Sequence, residues 1–96
     1  MSFALTPNAA QFMQRMLRFS ATPTAAFRLR VRPSNSAQLS SEYDIEEPAP
    51  DSAELMVIGG VRMLVDFRTQ GLLAGATVDL SDNLLRSGFV FLLAGK

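Results

Sequence analysis

Six residues, FRLRVR at positions 27–32, alternate apolar and basic without exception. A two-residue period is the signature of a strand with one face on a core and the other in water, because successive side chains of extended backbone point to opposite sides. Phe27, Leu29 and Val31 therefore face inward and Arg28, Arg30 and Arg32 outward. Pro33 ends the strand. Across a short polar segment the alternation resumes, with Leu39, Ser41, Tyr43 and Ile45 on one face and Ser40, Glu42, Asp44 and Glu46 on the other. An antiparallel hairpin about that segment predicts Arg28 opposite Glu46, Arg30 opposite Asp44 and Arg32 opposite Glu42. Each exposed cross-strand pair contributes only about 0.2–1 kcal/mol, so the pairs select a register more than they stabilise a sheet.

The same pairing accounts for an uneven charge distribution within a neutral chain. The first 41 residues hold five arginines and no acid, whereas residues 42–54 hold Glu42, Asp44, Glu46, Glu47, Asp51 and Glu54 and no base. The two blocks read as partners in one folded unit. Phosphate binding needs positive charge left uncompensated, so a solvated ladder is favoured over a nucleic-acid stripe. A nucleic-acid module on Arg28, Arg30 and Arg32 stays as an alternative. An arginine-rich, acid-free N-terminus also fits a transit peptide, but its removal would strip a large part of an already small core.

Other segments follow local rules. Thr6-Pro7 opens a helix over 7–18: threonine caps the first N–H groups, and proline at the first helical position lacks only an orphaned donor. Ala9, Phe12, Met13, Met16 and Leu17 share one face and Gln11, Gln14, Arg15 and Arg18 the other, an amphipathic helix packed on a core rather than a partner's groove. ELMVI, Gly59-Gly60 and VRMLVDF form a second hairpin, since glycine takes the positive φ values of a two-residue turn. No GxGxxG or GK[ST] pattern turns that pair into a phosphate cradle. Asp66 caps a short helix through Leu73, with Gly75 in the left-handed position beyond it. Ala76, Val78 and Leu80, a turn at SDN, then Phe89, Phe91 and Leu93 give the closing strands. The expectation is an α+β fold: one compact domain over residues 1–96, a mostly antiparallel sheet, an N-terminal amphipathic helix and a second short helix.

The chain contains no cysteine, histidine or tryptophan. Disulfides, thiolate nucleophiles and sulfur ligands are thereby excluded, as is a histidine-based triad. A terminal Lys96 is a poor base for preorganised catalysis. The acids of residues 42–54 lack the spacing of a calcium loop. No apolar run approaches the ~20 residues of a membrane-spanning helix. No enzyme, cofactor, metal or membrane role is expected, and a reducing cytoplasm is the expected compartment.

Taken together, FALTPNAAQFMQRML, FRLRVRP followed by a loop, IGGVRMLVDF, GLLAGATVDL with its Gly75-to-Asp79 spacing, and RSGFVF resemble the A-type iron–sulfur carrier, or HesB-like, family. The resemblance runs from Phe3 to Phe91 and implies a compact fold of helices on antiparallel strands. It also implies three cysteine ligands, one in the loop after the FRLRV strand and two in a Cys-Gly-Cys near the C-terminus. Aligned on the motifs, the loop cysteine falls at Ser36, within Ser34-Asn35-Ser36, and the other two positions would lie past Lys96. Cluster irons are held by thiolates, and one serine hydroxyl does not replace three.

The resemblance thus implies a degenerate, cysteine-free homologue acting as a non-catalytic interaction or regulatory protein, tied to iron–sulfur assembly or to a cluster-rich pathway such as nitrogen fixation or sulfur metabolism. A carrier using non-cysteine or partner ligands is the alternative. A protein partner is expected, with the loop residues Ser34, Asn35, Ser36, Gln38 and Ser41 as its candidate surface. Homodimerisation is also expected, through the apolar FVFLL strand. No nucleic acid is expected.

Overall fold

The computed structural model describes residues 3–20, 22–34, 39–81 and 88–92. Strands β1 (Ala4–Leu5), β2 (Ala26–Pro33), β3 (Leu39–Glu46), β4 (Leu55–Ile58), β5 (Val61–Leu64), β6 (Thr77–Ser81) and β7 (Gly88–Leu92) and helices α1 (Pro7–Arg18) and α2 (Phe67–Leu73) form an α+β fold. The strands make two sheets, ordered β1-β6-β7 and β3-β2-β5-β4. Both sheets are mixed: β1 runs parallel to β6 and β2 parallel to β5, and the other pairings are antiparallel. Alternation within a strand carries no direction for its neighbour, so these parallel pairings and the two-residue β1 were invisible to the period argument.

Helix α1 forms where expected. Thr6 is its N-cap and accepts a hydrogen bond from the Ala9 N–H at 3.2 Å, with Pro7 in the first position and Arg15 and Arg18 in the last turn. The Thr6 hydroxyl in turn donates to Asp79 Oδ1 of β6 at 2.6 Å, tying the cap to the three-stranded sheet. Ala9 and Met13 are fully buried, and Phe12, Met16 and Leu17 pack against the core. The apolar stripe of the helix is therefore core, as its spacing predicts.

Phe27, Leu29 and Val31 of β2 are buried, as are Val61 and Met63 of β5 and Val78 of β6. Phe12, Phe27, Tyr43 and Phe89 form a mutual aromatic cluster that joins α1, β2, β3 and β7, with Tyr43 stacked on Phe27 at 5.1 Å and edge-on to Phe12 and Phe89. Tyr43 thus serves the inner face although 43% of it remains exposed.

Gly59 and Gly60 turn the β4–β5 hairpin with φ of 57° and 81°, and Gly75, at φ 78°, follows α2 as expected. A Cβ at Gly59 would find only ordinary contact, 3.6 Å from Leu5 Cβ, so the left-handed backbone alone is at stake there. We expect Gly59→Ala to lower unfolding free energy by about 1–2 kcal/mol, read as a shift in urea midpoint at constant slope. An unchanged midpoint would contradict the turn geometry.

Candidate functional site

The β2–β3 ribbon carries the candidate loop at its tip. Its expected register is off by two residues. Arg28 lies opposite Asp44, Arg30 opposite Glu42, and Arg32 opposite Ser40. A two-residue slip keeps every side chain on its own face, so the alternation is satisfied equally by both registers and the charges alone did not decide. The aligned Phe27–Ile45 and Leu29–Tyr43 pairs satisfy the aromatic core instead.

Two of the ion pairs, Arg28–Glu46 and Arg32–Glu42, form on the diagonal. Arg28, with a side chain only 12% exposed, binds Glu46 through Nε at 3.1 Å and Glu54 through Nη1 at 2.7 Å. Burial alone would lower its pKa, but the hydrogen bonds to Glu54 and Glu46 outweigh that and raise it. Arg30 approaches Glu46 at 3.8 Å and Arg32 pairs with Glu42. The expected Arg30–Asp44 pair is replaced: Asp44 accepts from the backbone N–H of Ile45. Every arginine of the strand therefore faces a carboxylate, so the β2 part of the basic block partners the acidic block as the composition implies.

Strand β2 outruns β5, its parallel neighbour, which pairs with it only at Phe27 and Arg28. Helix α2 covers the edge beyond. Its buried Thr69 accepts the Val31 N–H on Oγ1 at 3.2 Å, satisfying a donor that no described strand reaches. Asp66 holds α2 in place by accepting the Thr69 N–H at 2.7 Å. That backbone hydrogen bond, with help from Arg28 and Arg30, outweighs burial and lowers the Asp66 pKa. Arg30, Arg32, Asp66, Arg68 and Thr69 line a cleft of about 400 Å³ at the base of the loop. Sequence reasoning named Asp66 as a cap but missed Thr69 and Arg68, since a lone threonine or arginine on a short helix carries no pattern of its own.

Of the candidate loop residues, Ser34 and Ser41 bracket the tip, both exposed, with Ser41 opposite Val31. Asn35, Ser36 and Gln38 lie outside the described residues. Among the described residues no three acidic, cysteine or histidine side chains are grouped to hold a metal ion, and no helix is long and apolar enough to cross a membrane.

No family model matches the chain. It is 31% identical over 85 residues to ErpA 2 of Burkholderia vietnamiensis, a protein named for iron–sulfur cluster insertion, covering 88% of this chain and 68% of that protein. It is 29% identical over 87 residues to an uncharacterized protein in the nifU 5′ region of Azotobacter vinelandii, covering 91% of this chain and 81% of that one. In structure it is similar to Escherichia coli SufA, involved in biosynthesis of iron–sulfur clusters, with TM-score 0.65 and 21% identity over 94% of this chain and 78% of SufA. It is also similar to IscA solved with a [2Fe-2S] cluster, with TM-score 0.54 and 27% identity over 93% of this chain and 79% of IscA. Fold and relatives define a protein of the iron–sulfur carrier class. The chain belongs to the A-type carrier (HesB-like) family, and its 96 residues contain no cysteine.

Removing the Asp66 cap with Asp66→Ala should cost about 0.5–2 kcal/mol near neutral pH. Because folding depresses this carboxyl below its ordinary 3.8, its contribution is fully present above that value and is lost as pH falls through the folded pKa. Denaturation of both proteins at pH 7 and pH 2.5 checks this: the stability gap should narrow at the lower pH, and a gap independent of pH would refute the assignment.

Proposed function

We propose that this protein is a non-catalytic member of the A-type carrier family that has kept the scaffold and relinquished the cargo, acting in the cytoplasm as an interaction or regulatory protein of iron–sulfur cluster assembly. One observation carries the reading: the family's fold is joined to a sequence without a single thiolate donor. Oxygen ligands do not make up the deficit, because a serine hydroxyl stays protonated near neutral pH and clusters are held by deprotonated sulfur. The relative in the nifU 5′ region supports a cluster-rich pathway such as nitrogen fixation as the setting.

Residues 1–96 act as one domain in this reading, and the partner docks on the tip of the β2–β3 ribbon, at Ser34, Asn35, Ser36, Gln38 and Ser41. Self-association would use β7, the outer strand of its sheet, where Leu92 is exposed. Compensation of Arg28, Arg30 and Arg32 by Glu42, Glu46 and Glu54 disfavours a nucleic-acid role for that strand.

Anaerobic reconstitution with iron and sulfide tests the lost cargo. A colourless protein free of iron after desalting is expected, and a coloured product retaining stoichiometric iron would restore the carrier reading. Affinity capture from the native host tests the surface: a partner held by the wild type should be lost on shortening the Ser34–Ser41 loop and weakened by Arg30→Glu. Capture indifferent to both changes would move the interface elsewhere.

A further inference from the structure

At the opposite end of β2 from the loop, the C-terminal turn of α1, the segment leading into β2 and the start of β5 enclose an open cleft of about 540 Å³. Seven residue steps of roughly 3.3 Å along β2 separate the two ends, so the cleft is independent of the proposed docking surface. Its polar lining is Gln14, Arg18, Ser20, Thr22 and Arg62, and no carboxylate among the described residues lines it. The contrast with the ribbon face is direct. There every arginine meets an acid, whereas neither Arg18 nor Arg62 forms an ion pair among the described residues.

Among the described residues, Arg62 is held from one side only. One Nη2–H donates to the Thr24 carbonyl at 2.9 Å, while Nε is buried without a partner. A buried guanidinium donor left unpaired is costly, and an oxyanion satisfies it best, because the planar fork matches two oxygens at once. Ser20 adds a hydroxyl already set in place: its Oγ accepts the Thr22 N–H at 3.2 Å, which leaves its own proton to donate. The carboxyl end of α1 opposes an anion with about half a unit charge at most, against two full positive charges from Arg18 and Arg62. Leu17, Pro23 and Ala25 give the rest of the lining an apolar character.

We propose that this cleft binds a small organic oxyanion, a phosphate ester or carboxylate whose anionic head pairs with Arg62 and Arg18 and whose apolar body lies on Leu17 and Pro23. Binding turns the Arg62 fork toward the ligand and pairs the donor that is orphaned without it.

The test is a titration of the isotope-labelled full chain with phenyl phosphate and, separately, benzoate, at ionic strength fixed with sodium chloride and followed by amide and arginine Nε–H resonances. Saturable shifts confined to residues 14–25 and to Arg62 are expected with one or both probes, and the stronger probe identifies the head group the site selects. Arg62→Gln and Arg18→Gln should each weaken binding about tenfold, the loss of one charge-assisted pair. Arg18 is exposed, so its variant keeps the test valid should Arg62→Gln unfold. Shifts that grow linearly, match those from chloride alone, fall on the Arg30 and Arg32 face, or persist unchanged in Arg18→Gln would overturn the proposal.

Discussion

Strand β2 is the element on which the rest of the domain depends. It is paired on both edges at its start, its inner side chains lie at the centre of the core, and one of its outward arginines, Arg28, is nearly buried between two carboxylates. Those carboxylates come from different elements: Glu46 closes β3, and Glu54 immediately precedes β4. One guanidinium therefore ties the end of β3 and the approach to β4 to an inner strand of the sheet. An ion pair so little exposed is weak evidence of net stability, but removing Arg28 would leave two part-buried carboxylates without their shared cation, which makes the arrangement specific.

The second half of β2 depends on a different device. Beyond Arg28 no described strand pairs with it on the β5 side, and Thr69 of α2 supplies the acceptor that a strand would have given. Asp66 fixes that helix by accepting the Thr69 backbone N–H, and Thr69 Oγ1 accepts the strand N–H. The far half of β2 is thus supported by a seven-residue helix held by these hydrogen bonds and by its buried Leu73.

How far the sequence revealed this follows from which forces are local. Helix α1, the diglycine hairpin, the Asp66 cap and the inward face of β2 are set by neighbours within a few residues, and each lies where the pattern put it. The register of β2 against β3 depends on Phe27 and Leu29 meeting Ile45 and Tyr43 across a loop, and charge alternation is silent between registers two apart. The parallel pairings of β1 with β6 and of β2 with β5 join segments far apart in the chain, beyond the reach of any periodicity. For the candidate loop, composition showed what it lacks, and family likeness supplied its location. The cleft around Arg62 was missed because its parts come from three separate segments without a shared motif.

The Thr6 hydroxyl, which caps α1 and reaches Asp79, joins positions 73 apart. On a ribosome the first helix is made at once, yet its tether to the sheet cannot close until the polypeptide has grown past β6. Maturation of the domain is accordingly deferred: α1 can meet β2 and β3 early through Phe12, Phe27 and Tyr43, but its contact with the three-stranded sheet waits for a late strand. Topologies with such distant closures assemble slowly for their size, and the interval before closure is when a nascent chain of this kind has most need of protection from its neighbours.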